Sequence, residues 1–279
     1  MDRDLPPAPE PLPAPIADSH CHLDVVTEYT GLEPAEALDR AAAVNVTRVV
    51  QVGCDVESSH WAVDAAGRWD GVIASVAIHP NEAARAGARL PDDLAEIEHL
   101  LRAPDPRHRI RGVGETGLDR YRTTDEPGRA RQAESFAVHI GWAQQHDKTL
   151  VIHDRDAHQQ ILDVLDAEGC PDRIVMHCFS GDADFARACL DRGAWLSFPG
   201  PVTFKPNHAL REACRLTPID RLLTETDAPF LTPMPFRGWA NASFLVPLTV
   251  RFMAELRGED LTDLCQALDA NTSAAFGAW

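Results

Sequence analysis

The sequence contains no apolar run approaching the roughly 20 residues that a membrane-spanning helix needs. Its beginning, "MDRDLPPAPEPLPAPIAD", also lacks the basic stretch and apolar core of a secretory signal. No membrane partner is expected, and the repeated prolines predict an extended, solvated leader over residues 1–15. Basic charge is scarce: 26 Lys and Arg face 43 Asp and Glu, a net charge of −17. That argues against broad electrostatic attraction to duplex nucleic acid or an anionic surface, which needs a basic face. The seven cysteines are odd in number and lack zinc-finger spacing, so a disulfide framework is not expected; reduced thiols in a cytoplasmic protein fit better. Neither GxGxxG nor GxxxxGK[ST] follows any strand-like run, which removes the usual dinucleotide and P-loop readings.

What is present is a regular alternation. Eight strand-like runs appear at 16–24, 46–53, 71–80, 109–119, 148–153, 173–178, 194–200 and 221–229. Helical patterns lie between them, such as 91–103 and 131–146; the latter puts Phe136, Ile140 and Ala143 on one face. At about 30 residues per unit this describes an α/β chain of the (β/α)8 TIM-barrel class, read as a single domain over 16–279. A doubly wound open sheet is the alternative, because periodicity cannot see closure.

Barrel enzymes place their chemistry at the C-terminal ends of strands. Run one ends in His20 and His22, run three in His79, run four in Glu115 and Asp119, run five in His153. Run six ends in His177 and run eight in Glu225 and Asp227. The other histidines, at 60, 99, 108, 139, 146, 158 and 208, fall in helices or loops and are expected at the surface. Alternation along a strand points His20 and His22 the same way and Cys21 the other, so Cys21 is read as packing. A carboxylate can bridge two cations with its two oxygens, and Glu115 lies in the chain between the two groups of histidines. The set sorts into two ions: His20, His22 and Asp227 for one, His153 and His177 for the other, with Glu115 between. Six ligands are too many for one closed four-coordinate structural ion.

The stretches "DSHCHLD", "AIHP", "GETGLD", "VIHDRDA", "MHCFSG" and "TETDAPFLTP" resemble, in order and spacing, the motifs of TatD-type metal-dependent deoxyribonucleases. The likeness runs from about Asp18 to "NTSAAF". It implies a TIM barrel with two metal ions and 3′→5′ exonuclease-type cleavage of DNA phosphodiesters by a two-metal-activated hydroxide. Carried over, His20, His22, Glu115, His153, His177 and Asp227 are the ligands, and Asp227 is the proton acceptor. His79, Arg155 and Arg237 are positions available to phosphate; a surface salt bridge is the alternative for each arginine. Two departures stand near the mouth loops: Ala242 and Ser243 replace the family's Glu-Pro after Asn241, and Arg120 replaces an aromatic before Tyr121.

Imidazole-rich ligands with carboxylates suit Zn, Mn, Fe or Co; the resemblance also allows Mg. Two divalent ions would bring four positive charges and the two carboxylates remove two, leaving about +2 locally. Screening over about 8 Å lets such a centre attract phosphate while the outer surface repels duplex. DNA ends or short single-stranded DNA are the expected partners, and no obligate protein partner is legible. Hydrolysis of a small amide, ester or lactone uses the same chemistry and stays open, as does a non-catalytic binding protein that keeps the barrel.

Overall fold

The computed structural model describes residues 3–102, 109–277 and 279. His108, named above among the surface histidines, and the end of the 91–103 pattern lie outside the described residues. Eight strands form one sheet in the order β1 to β8: β1 Ile16–Cys21, β2 Val46–Val52, β3 Val72–Val76, β4 Ile110–Asp119, β5 Thr149–Arg155, β6 Ile174–Met176, β7 Trp195–Phe198 and β8 Leu222–Thr224. All eight expected runs are strands, and helices intervene. The fold is a (β/α)8 barrel, and a doubly wound open sheet is excluded.

Two compact units divide the contacts. One comprises residues up to Val50, Gly181–Arg187 and Leu196–Ala274; the other comprises Gln51–Ser180, Ala188–Trp195 and Ala275–Trp279. The first unit contains the meeting of β1 and β8. Cys21 bridges Ala228 in parallel, the His22 N–H donates to the Ala228 carbonyl at 3.0 Å, and the Asp227 N–H donates to that of His20 at 3.0 Å. Parallel strands are covered on both faces, so they read as apolar runs; Leu196, Phe198, Leu222 and Leu223 are fully buried here.

The leader meets the same unit: most of its described residues are exposed, as a solvated segment requires, but it is tied down at a few points. Among its described residues it forms no helix or strand, but Leu12 is buried and its N–H donates to the Val44 carbonyl at 3.2 Å. The Asn45 amide and the Arg251 guanidinium donate to carbonyls of Leu12, Pro11 and Glu10. Proline keeps the segment extended, and the buried Pro6 and Leu12 supply apolar side chains that anchor it.

In the second unit, β3 to β6 pair in parallel. The packing helix is α6 (Glu126–Gln145), whose Phe136, Ile140 and Ala143 are buried as the spacing predicts. Strand β4 is irregular: its register against β5 shifts between Val113 and Thr116. One glycine lies within the shift and one just after it. Gly114 (φ 154°) and Gly117 (φ 137°) lie so close to β5 that a β-carbon would collide with the carbonyl oxygens of Val151 and His153. A bulge re-aims the side chains around it, and the two residues between these glycines are Glu115 and Thr116.

Candidate metal centre

In the first unit, His20, His22 and Asp227 come together. The two Nε2 atoms are 3.3 Å apart, and Asp227 Oδ1 lies 3.4 Å from His22 Nε2 and 3.8 Å from His20 Nε2. His22 follows the last residue of β1, yet the alternation argument holds: its ring joins that of His20, and Cys21 is fully buried away from them. Burial raises the Cys21 thiol well above its ordinary range, consistent with packing. Ligands about 2.1 Å from a divalent ion stand roughly 3.0–3.4 Å from one another, so this triangle fits one ion with little movement. His20 is fully buried, and Asp227 is 16% exposed, giving the cluster its access to solvent.

The triangle is held from behind by a residue absent from the predicted site. Asp18, fully buried on β1, accepts from the Thr226 N–H at 2.9 Å and from the Thr226 hydroxyl at 2.6 Å. Desolvation lifts its carboxyl to about 6 against these hydrogen bonds. Ser243 and Ala242 are themselves buried. Both positions at which the sequence departs from the resembled motif are therefore inside the molecule.

In the second unit, Glu115 gathers three imidazoles. Its Oε2 is 2.8 Å from His177 Nε2, 3.2 Å from His153 Nδ1 and 3.8 Å from His79 Nε2. Its Oε1 accepts from the Cys54 thiol at 3.4 Å. Burial opposes the charge on Glu115, but the facing imidazoles, His177 first, outweigh it and hold the carboxyl well below the usual range. Strand ends are less tidy than expected: Glu115 sits mid-strand at the bulge, and His153 lies within β5. His177 follows β6 directly.

Asp119 closes the back of this cluster. Its Oδ2 lies 3.5 Å from His153 Nε2 and accepts from the Asn81 amide at 3.0 Å, while Oδ1 accepts from the Arg122 N–H at 2.7 Å. Burial works against its ionisation, but His153 and these donors hold its carboxyl well below the ordinary value. A carboxylate behind a ligating imidazole fixes the ring's orientation and tautomer. Asp119 is a strand-end acid outside the predicted site; Asn81 lies in the first turn of a helix and Cys54 in a loop, and neither carries a periodic signal.

His79 caps α4 (Pro80–Ala86): its Nδ1 accepts from the Asn81 N–H at 3.0 Å. Desolvation pushes this imidazole down to about 3, so it is neutral at working pH. Because Nδ1 accepts, the neutral ring carries its proton on Nε2, facing the cluster as a donor. Behind it stands His139, expected at the surface and found fully buried. Its Nδ1–H donates to the Ser135 carbonyl at 2.6 Å, and its Nε2 accepts from the Ile78 N–H at 3.1 Å. The helix histidine thus braces the loop that carries His79.

The two arginines are held over aromatic rings. Arg155 lies 3.9 Å above the ring of Tyr121, and Arg237 lies 4.6 Å above that of Phe204. Among the described residues neither guanidinium makes an ion pair. Each keeps its hydrogen-bonding fork for another partner.

The donor sets fit divalent metal: two groups of converging nitrogen and oxygen atoms, each pairing neutral-capable imidazoles with a carboxylate. Among the described residues no helix is long and apolar enough to cross a membrane.

The TatD related DNase family model matches residues 17–277. The chain is 43% identical over 266 residues to an uncharacterized metal-dependent hydrolase named TatD from Mycobacterium tuberculosis, covering 94% of this chain and 98% of that protein. It is 35% identical to the uncharacterized metal-dependent hydrolase YcfH of Escherichia coli K12, with 94% and 95% covered. The crystal structure of YJJV, a TatD homologue from Escherichia coli K12, matches with a TM-score of 0.85 at 26% identity, covering 95% of this chain and 98% of that one. With its sequence matched almost end to end and its donor clusters in place, the chain belongs to the TatD-related DNase family.

Proposed function

We propose that the protein is a metal-dependent hydrolase of DNA phosphodiesters, releasing nucleotides from 3′ ends. The observation that carries this reading is the pair of preassembled donor clusters in a chain of this family. In the proposal His20, His22 and Asp227 hold one divalent ion, and His153 and His177 with Glu115 hold a second; Zn, Mn, Fe or Co suit these donors, with Mg also admissible. Bound ions supply Lewis acidity and acidify a coordinated water.

The chain's own residues do the rest. Asp227, the most exposed carboxylate of the two clusters, accepts the proton of the attacking water at Oδ1 or Oδ2. Neutral His79 donates from Nε2 to a phosphate oxygen. Arg155 and Arg237, free of carboxylate partners among the described residues, pair with phosphate through their planar forks. Asp119 and Asn81 hold His153 in place, and Asp18 with Thr226 holds the backbone between His20 and Asp227.

Asp227→Asn keeps the side-chain shape and removes the base. It is expected to lower kcat on a 3′-labelled oligonucleotide by at least about 10²-fold, the contribution of a positioned base, with the circular dichroism spectrum unchanged. A kcat within a few-fold of the parent would overturn the assignment.

A further inference from the structure

Five large hydrophobic side chains are exposed among the described residues, and three of them, Phe230, Met234 and Trp239, fall within a dozen residues after Asp227. Scattered exposed hydrophobics need no explanation, but a cluster beside polar function does. The loop carrying them is tied down. The Phe230 N–H donates to the Asp227 carbonyl at 2.9 Å, Asn241 donates from one amide to the carbonyls of Thr226 and Phe230, and the Thr232 hydroxyl donates to the Trp239 carbonyl at 2.5 Å. Phe236 and Trp239 meet edge to face at 6.0 Å.

A second loop, following β7, locks into the first. The Met234 N–H donates to the Thr203 hydroxyl at 2.9 Å, and Gly200 lies so close to the Leu231 carbonyl that no β-carbon fits. Phe204 from this loop stacks under Arg237. Charge sets the pair apart from the rest of the chain. With 43 acids in the sequence, none occurs from Ala228 to Ala254 or from Ala194 to Arg211, while exposed Lys205 and Arg237 do.

We propose that this rigid, acid-free aromatic platform stacks the bases of a single-stranded nucleic acid, with Trp239 as its principal surface and Phe230 and Phe236 beside it. The proposal rests on the DNA-hydrolase reading and names how that substrate is gripped. Bases stack on exposed rings regardless of sequence, and an arginine held among the rings meets the adjoining phosphate. For a strongly acidic protein this solves a problem of affinity, because stacking does not depend on neutralising many phosphates.

The test compares fluorescent hexathymidylate with an abasic hexamer of equal charge, measured by anisotropy on full-length protein in EDTA, with cleavage of hexathymidylate assayed separately in Mn²⁺. The parent is expected to bind the thymidylate at least about tenfold more tightly, and Trp239→Ala to reduce that preference to near parity, with Trp239→Phe restoring most of it. Equal affinities in the parent, or a preference that survives Trp239→Ala, overturn the platform. So does a parent dimer that Trp239→Ala dissociates in sedimentation without base preference, since the patch would then seat a second copy. Base preference without cleavage leaves the platform standing and removes the hydrolase reading; cleavage without base preference does the reverse.

Discussion

Glu115 and His139 show how a site is made from residues with opposite electrostatic needs. Glu115 must be charged in a dry place, and facing imidazoles make it so. His139 must be neutral: desolvation, only partly opposed by its bond to the Ser135 carbonyl, brings its imidazole from 6.5 to about 4. The folded state therefore binds its proton less readily than the unfolded chain does. Its contribution is fully present above pH 6.5 and is lost as pH falls through about 4, amounting to about 2–3 kcal/mol between pH 7 and 4.5. Urea unfolding of the parent and of His139→Gln across that range should show the parent losing that much more stability than the variant; parallel curves would contradict the neutral, buried assignment. This is also where sequence reading fell short. The pairing of His20 with His22 was legible because strand side chains repeat every two residues. His139 falls at helical spacing on the face of Phe136, Ile140 and Ala143, but a polar ring is not counted in an apolar pattern. Asn81 enters from the first turn of a helix and Cys54 from a loop, without period.

At the scale of elements, β4 and its two glycines position the carboxylate of the second cluster. The eight strands and their order followed from alternating runs, but the bulge did not, because an irregular register leaves no trace in hydrophobic pattern. Gly117→Ala would press a methyl into the His153 carbonyl at a positive φ. It is expected to cost about 2 kcal/mol or more and to weaken metal uptake by the cluster containing Glu115 and His153. Gly141→Ala lies on α6 with open space around it and is expected to add up to about 1 kcal/mol. Thermal unfolding of the two variants checks the contrast; equal effects would mean that β4 and β5 are not packed as described. The leader teaches the converse lesson: its prolines read as extended chain, but the buried Pro6 and Leu12 and the carbonyls of Asp4, Glu10, Pro11 and Leu12 that dock it leave no pattern.

For the whole molecule, the net charge of −17 constrains how DNA can be held. It argues against duplex binding by a broad basic face, and the proposed grip consists of a few phosphate contacts with base stacking. The affinity for single-stranded DNA should then fall with a log–log salt slope of magnitude no greater than about 2 between 50 and 200 mM salt, where each neutralised phosphate contributes about 0.7. A slope of about 5 or more would require an extended basic track that this sequence lacks. The central claim is metal-dependent release of nucleotides from a 3′ end. Its most direct measurement is a time course on 5′-labelled single-stranded DNA with protein as purified, after chelation, and after return of Mn²⁺. The account predicts a ladder shortening one nucleotide at a time, abolished by chelation and restored by the metal. Intact DNA in every lane, or shortening that chelation leaves unchanged, would contradict it.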